Sequence, residues 1–165
     1  MTDTKTLSTD IQDFLQAATD GEKEVLQQFL NGLRQKHEGH HPSYVSGWIQ
    51  AEGDWNEDGS YQIRIPIHKG VQNPLEIVHG GVTATLMDTC MGTLANHSTP
   101  SKKAAVTMEI KVNYLKPGKG DYLYCRSEII SQSSKTLFLA STIKDEKDQI
   151  IAYGTGTFYV IDFLA

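Results

Sequence analysis

The sequence predicts an α+β domain in which one curved antiparallel sheet wraps around a central buried helix. The helix is expected over 82–95, where apolar side chains surround the axis instead of forming one stripe, as is typical of a buried helix. Strand-like runs follow it, at 104–114, 121–132, 136–145 and 149–161. Because these runs are joined by short turns, they are expected to pair antiparallel, and only a sheet could cover such a helix on several sides.

The chain of 165 residues is long enough for one domain with a real core. We predict a helical extension over 1–41 and the main domain over 42–165. Two strand-like runs, 44–51 and 61–67, are expected to form a hairpin, because Asn56-Glu57-Asp58-Gly59 between them is turn chemistry. The turn Lys116-Pro117-Gly118-Lys119-Gly120 is likewise expected to join the first two strands after the helix.

The extension is predicted to hold two helices. Residues 1–9 are polar and expected to be irregular, and Thr9 or Asp10 would cap a first helix that runs through Ala18. Asp20-Gly21 interrupts it, and apolar residues then recur at helical spacing, at Val25, Leu26, Phe29, Leu30 and Leu33. Amphipathic helices of this kind generally pack on a domain or form a subunit contact.

Composition and charge narrow the function classes. A net charge of -5 argues against a general nucleic-acid binder or a basic membrane-surface protein. No stretch approaches the length of a spanning helix, and acidic residues lie where a signal peptide would be basic and then apolar, so a cytoplasmic protein is expected. Cys90 and Cys125 lack metal or redox spacing and are expected to be small buried hydrophobes.

Four potential metal ligands lie close together, at His37, Glu38, His40 and His41. They adjoin a glycine and a proline that mark a helix end, where histidine also complements the helix dipole. Because spacing for a defined coordination geometry is absent, we predict no metal site and no cofactor.

Most of the candidate catalytic and binding residues lie within 73–97. Asp88 is the single charge on the predicted buried helix, and His79-Gly80-Gly81 stands at its start. A carboxylate on such a helix is either a catalytic base or part of a structural capping or pairing arrangement. The glycines either admit a ligand to the free N–H groups of the helix start or simply permit a tight entry into the helix.

Residues in this region resemble the hotdog-fold thioesterases, and within them the acyl-CoA thioesterases of the phenylacetic-acid pathway. The matching residues are Asn73-Pro74, Val78-His79-Gly80-Gly81-Val82, Leu86-Met87-Asp88 and the strand from Ala105 to Pro117. The resemblance covers 44–161 and leaves the extension outside. It implies a hotdog fold, dimers that are commonly paired into tetramers, and no metal.

By that resemblance, the Gly80 N–H binds the thioester carbonyl, Asn73 helps to hold the carbonyl or the water, and Asp88 is the catalytic carboxylate. Thr107 falls where related enzymes often have a water-positioning Ser or Thr. From the residues alone, Asn73 could also be plain turn chemistry and Thr107 an ordinary strand residue.

His79 and Gly81 are predicted to bind substrate, although a hydrogen bond that fixes the loop is the other role open to His79. Nothing in the sequence brings the His79 ring near Asp88.

Helix geometry adds a constraint on the site. Eight residues at about 1.5 Å rise separate Gly80 from Asp88 by roughly 12 Å, too far for both to touch one carbonyl carbon. If both are catalytic, they serve different sites, and the simplest arrangement is a two-fold dimer in which Asn73 and Gly80 of one subunit face Asp88 and Thr107 of the other.

The function expected is hydrolysis of an acyl-CoA, with Asp88 activating water or attacking directly. An acyl-CoA-binding or regulatory hotdog protein, without catalysis, and a hotdog enoyl-CoA hydratase or dehydratase are the alternatives. The acyl chain accepted cannot be read from the sequence.

Overall fold

A six-stranded antiparallel sheet wraps around one long helix, which confirms the predicted fold class. The computed structural model describes residues 3–162. Its helices are α1 (Thr4–Ala17), α2 (Asp20–His37), α3 (Tyr44–Trp48) and α4 (Gly80–His97), with a 3₁₀ turn at Lys69–Val71. Its strands are β1 (Glu52–Trp55), β2 (Tyr61–Pro66), β3 (Lys103–Tyr114), β4 (Tyr122–Gln132), β5 (Thr136–Lys144) and β6 (Ile150–Asp162).

The strands are ordered β1-β2-β4-β5-β6-β3, so β1 and β3 form the two edges of the sheet. The expected hairpin across Lys116–Gly120 is wrong, because β3 pairs with β6 and β4 pairs with β2 and β5. The segment after β3 instead crosses the end of the sheet, where the Gly118 carbonyl accepts a hydrogen bond from Val78. The boundaries of β2 to β6 themselves lie within one or two residues of those predicted.

Helix α4 lies in the centre of the core, as predicted, and is longer than expected at both ends. The side chains of Leu86, Met87, Cys90 and Met91 are completely buried against the concave face of the sheet. Cys125 on β4 is also buried, so both cysteines pack as small core residues. The α4 flank that faces β3 is less covered, and Asp88 on it is half-buried.

The start of the chain differs from the prediction. Helix α1 begins at Thr4, because Asp3 caps it and accepts a hydrogen bond from the Lys5 N–H. The break before α2 falls at Ala18 and Thr19, whose side chain exchanges hydrogen bonds with Glu22 in a capping box. Asp20 and Gly21 therefore open the second helix instead of interrupting it.

The predicted strand over 44–51 is wrong, since Tyr44–Trp48 forms helix α3 and the first strand is only the short β1. Ser43 caps α3 by accepting the Ser46 N–H at 3.0 Å. The turn at 56–59 is confirmed by a hydrogen bond from the Gly59 N–H to the Asn56 carbonyl.

Helices α2 and α3 pack together through a close backbone contact. A Cβ on Gly32 would lie 2.2 Å from the Gly47 carbonyl oxygen, and a Cβ on Gly47 would lie 2.6 Å from the Gly32 oxygen. The two helix backbones can approach this closely only because both contacting residues are glycines, which have no Cβ. The rings of Phe29 and Trp48 stack beside this contact, with centroids 6.1 Å apart.

None of the helices in 3–162 is long and apolar enough to cross a membrane. Within the same residues, no cluster of three or more His, Cys, Asp or Glu side chains is arranged to hold a metal ion. At the predicted helix end, the His41 ring instead hydrogen-bonds Gln35 at 2.8 Å, and burial lowers the pKa of His41.

Replacing Gly32 by Ala is expected to lower the free energy of unfolding by about 1–3 kcal/mol, because the new methyl group overlaps the Gly47 backbone. Chemical denaturation monitored by circular dichroism measures this. Gly21→Ala, on the same helix, is the matched control: its Cβ makes an ordinary contact, so stability should not fall. Equal stabilities for the two variants would contradict the close contact.

Candidate active site

The first turn of α4 offers a backbone N–H to a ligand. His79 caps the helix, and its Nδ1 accepts the Gly81 N–H at 2.9 Å. In the part of the chain that the structure describes, the Gly80 N–H donates to no acceptor. Because this N–H lies at the positive end of the helix dipole, it can stabilise a developing negative charge.

The loop before α4 holds Asn73 beside this helix start. The Asn73 N–H donates to the Ile77 carbonyl at 2.9 Å, and its Oδ1 accepts the Leu75 N–H at 2.9 Å. The His79 N–H in turn donates to the Val71 carbonyl. The loop is therefore fixed by its own hydrogen bonds, and the Asn73 Nδ2 has no acceptor within 3–162.

Asn73 and Gly80 line the same cleft, which has a volume of about 380 Å³. Tyr114, at the end of β3, closes one side of it: its hydroxyl donates to the Gly80 carbonyl at 2.9 Å, and its ring lies over the glycine. Lys116 also lines the cleft and hydrogen-bonds Gln149. Sequence reasoning missed Tyr114, although it belongs to the strand segment that carries the family resemblance.

Asp88 and Thr107 form a second group. The Thr107 hydroxyl donates to Asp88 Oδ1 at 2.8 Å, so the predicted pair is brought together. Thr107 precedes a bulge in β3, where Met108 has no partner on β6. β-Bulges often lie next to active sites, where they aim a side chain. Neither Asp88 nor Thr107 lines the cleft of Asn73 and Gly80.

The predicted residues therefore fall into two half-sites, which we call the amide half-site (Asn73, Gly80) and the carboxylate half-site (Asp88, Thr107). Helix α4 is continuous between them, and eight residues at about 1.5 Å rise place them roughly 12 Å apart along one helix. His79 and Gly81 are hydrogen-bonded to each other at the amide half-site, where His79 acts as the helix cap.

Both half-sites adjoin β3, an edge strand of the described sheet, since Thr107 contacts Asp88 and Tyr114 contacts Gly80. This edge strand is twelve residues long and carries exposed apolar side chains at Val106 and Met108, with Leu115 just beyond it. Long edge strands with apolar side chains are templates for pairing with another chain.

Comparison with known proteins identifies the family. The model of the thioesterase superfamily matches residues 75–152. The crystal structure of the BH2602 protein from Bacillus halodurans with CoA superposes with a TM-score of 0.85 at 36% identity, over 93% of this chain and 99% of that one. The chain belongs to the thioesterase superfamily. This membership confirms the predicted enzyme class, a thioester hydrolase.

Two further relatives of this thioesterase bear on its type. The chain is 30% identical to the medium/long-chain acyl-CoA thioesterase YigI of Escherichia coli, over 51% of this chain and 63% of that protein. The Escherichia coli PaaI protein from the phenylacetic acid degradation operon superposes with a TM-score of 0.67 at 18% identity, over 81% of this chain and 96% of that one. The predicted hotdog-type fold is thereby confirmed.

Gly80→Ala is expected to leave the fold and its stability intact or slightly higher. The added Cβ would lie 3.5 Å from the Tyr114 ring, an ordinary contact, and alanine favours a helix over glycine by up to about 1 kcal/mol. Thermal unfolding tests this. Gly81→Ala is the comparison, since its Cβ would crowd the His79 ring at 3.1 Å. A Gly80→Ala chain that unfolds earlier than Gly81→Ala would show that the glycine is needed for folding.

Proposed function

We propose that the protein hydrolyses acyl-CoA thioesters in an active site completed across a two-fold dimer. The amide half-site of one subunit would face the carboxylate half-site of the other. The observation that carries the proposal is the separation of Gly80 from the Asp88–Thr107 pair along one helix, while both contact the same edge strand, β3.

Acyl-CoA is the substrate class favoured by the relatives. The BH2602 protein was solved with CoA, and YigI is described as a medium/long-chain acyl-CoA thioesterase. In this chain, the Lys116 ammonium in the cleft could meet a phosphate of the CoA moiety.

The positions of Thr107 and Tyr114 along β3 support the dimer. Thr107 hydrogen-bonds α4 at Asp88, and Tyr114 hydrogen-bonds it at Gly80. If two β3 edges pair antiparallel about an axis near Lys111, Thr107 of one subunit comes opposite Tyr114 of its partner. The same pairing gives hydrogen-bond partners to the unpaired backbone N–H and C=O groups of this edge.

In this site, the thioester carbonyl oxygen would accept hydrogen bonds from the Gly80 N–H and the Asn73 Nδ2. Asp88, held by the Thr107 hydroxyl, would take a proton from water as the water oxygen attacks the carbonyl carbon. Collapse of the tetrahedral oxyanion then breaks the C–S bond, and the CoA thiolate takes up a proton. Direct attack by Asp88, giving an anhydride that water hydrolyses, is the variant of this step.

Asp88→Asn is expected to reduce the release of free CoA thiol by about 10²-fold or more, because the amide cannot accept the proton. A panel of acyl-CoAs, assayed with a thiol reagent, measures this. Asp13→Asn, on the exposed α1, is the control and should keep full activity. Tight binding of acyl-CoAs without turnover by the unmodified protein would favour a binding module, and hydration of an enoyl-CoA would favour a hydratase.

A mixture of Asp88→Asn and Gly80→Pro chains should regain activity that neither has alone, because proline removes the Gly80 N–H and is tolerated at the first position of a helix. In a mixed dimer one site combines the intact Gly80 of one chain with the intact Asp88 of the other, and the second site holds both defects. Random reassortment gives half mixed dimers with one working site each, so about a quarter of wild-type activity is expected. Thiol release after refolding the two chains together measures it, and a mixture no more active than its parts would argue against a shared site.

A further inference from the structure

Helices α1, α2 and α3 present a broad apolar surface that the rest of residues 3–162 leaves uncovered. We call it the helical face. It is formed by side chains of α1, α2 and α3, among which Tyr44 is 70% exposed and Leu33 is 49% exposed. Its other exposed members are Leu7, Phe14, Phe29 and Val45. Contiguous apolar surfaces of this kind mark interaction sites.

Helix α1 has no buried residue, although Leu7, Ile11 and Phe14 recur along one side of it. An isolated helix of its 14 residues is marginally stable in water, since most helical stability in proteins comes from packing of the apolar face. Ile11 and Phe14 border a cleft of about 680 Å³ that α1 shares with α2, and Leu7 and Phe14 remain exposed. Residues 3–162 therefore leave part of the apolar side of α1 uncovered.

Helix α2 supplies a stripe with a direction. Glu22, Leu26, Phe29, Leu33 and Lys36 follow one another at intervals of three or four residues and so share one side of the helix. The stripe is acidic at its N-terminal end, apolar in the middle and basic at its C-terminal end.

We infer that the helical face binds a second copy of the same chain, with the two α2 helices antiparallel about a two-fold axis at Phe29. That pairing brings Glu22 opposite Lys36 of the partner subunit, and Leu26 opposite Leu33 of the partner subunit. Such self-complementarity of charge and shape is what an isologous interface requires. No such match would arise if the stripe carried one sign of charge throughout.

The charged ends are available for this contact. The capping box uses Glu22 Oε2, and Oε1 accepts no hydrogen bond from any residue in 3–162. The Lys36 ammonium lies over the Tyr44 ring, 5.5 Å from its centroid, and forms no ion pair within the described chain.

Two clefts flank Phe29, and exposed side chains of a second copy could occupy them. One, of about 680 Å³, lies between α1 and the N-terminal half of α2; the other, of about 300 Å³, lies between α2 and α3. In the antiparallel arrangement the exposed Tyr44 and Val45 of the partner subunit would reach the first cleft. The exposed Phe14 of the partner subunit would reach the second.

A lipid surface fits the helical face less well. Asp10 and Glu22 border the larger cleft together with one cation, Lys69, which is ion-paired with Glu24. Helices that lie on membranes generally carry lysine and arginine along their polar side. The helical face is also made of other elements than β3, so a chain that uses both surfaces would assemble into a dimer of dimers.

Leu33→Glu tests the inference. The charge should be harmless on a free surface, whereas in the proposed interface it meets Leu26 of the partner subunit. Light scattering measures the mass of the assembly, at protein concentrations 10–100 times that at which the wild-type assembly is half dissociated. The mass of Leu33→Glu should fall to half that of the wild type, while its circular dichroism spectrum should be unchanged. Ile130→Glu, at an exposed apolar position on β4, is the matched control and should keep the wild-type mass. An unchanged mass for Leu33→Glu would overturn the inference.

A charge reversal tests the orientation. Lys36→Glu sets two carboxylates opposite each other and should also halve the mass, while Lys23→Glu, on the same helix but off the stripe, should not. Adding Glu22→Gln to Lys36→Glu removes the repulsion, keeps a residue suited to the capping box, and should restore the wild-type mass. Halving by Leu33→Glu without any effect of Lys36→Glu would overturn the antiparallel pairing, and binding to anionic vesicles that Leu33→Glu abolishes at constant mass would assign the face to lipid.

Discussion

The structure depends on the burial of α4 by a single sheet. Leu86, Met87, Cys90 and Met91 are fully enclosed, which accounts for the apolar character of the helix on most sides. The sheet ends at β3, however, so the flank of α4 beside that edge is covered only in part. Polar side chains can be placed on this flank without being fully desolvated, and this is where Asp88 lies.

The same helix thus provides two different electrostatic environments. Its first turn offers an N–H at the positive end of the dipole, and its middle carries a carboxylate held by a hydroxyl. Placing both on one rigid element fixes their distance, so neither depends on loop movement for its position. The loop that carries Asn73 is rigid for another reason, since its backbone and side-chain hydrogen bonds close on themselves.

The hydrophobic pattern of the sequence was sufficient for the central helix and the four strands after it, whereas the pairing of Asp88 with Thr107 was expected only from the family resemblance. It was insufficient for 44–51, where Val45, Trp48 and Ile49 have helical spacing but β-forming side chains. A tertiary contact decides that case, because α3 packs on α2 through Gly32 and Gly47, and no local signal reports a partner fifteen residues away. The order of the strands could likewise not be predicted from the sequence. The short segment after β3 has the residues of a hairpin turn, but it crosses the end of the sheet.

The role of Tyr114 was missed for a related reason: its hydrogen bond to Gly80 joins residues 34 positions apart. Asn73 and Gly80 were identified because the family resemblance assigns them roles, and Gly80 also lies at the start of the predicted helix. Tyr114 lies in the matching strand but has no assigned role, and its position becomes informative only when the strand is placed beside the helix.

The bulge at Met108 has a consequence for side-chain direction. In a regular strand, residues an odd number apart point to opposite faces of the sheet. Thr107 and Tyr114 are seven apart, yet both hydrogen-bond to α4. The extra residue between Thr107 and Glu109 shifts the alternation by one, so that one strand can present a hydroxyl to each end of the same stretch of helix. Without this one extra residue, Thr107 and Tyr114 would point to opposite faces of the sheet, and β3 would contact only one half-site.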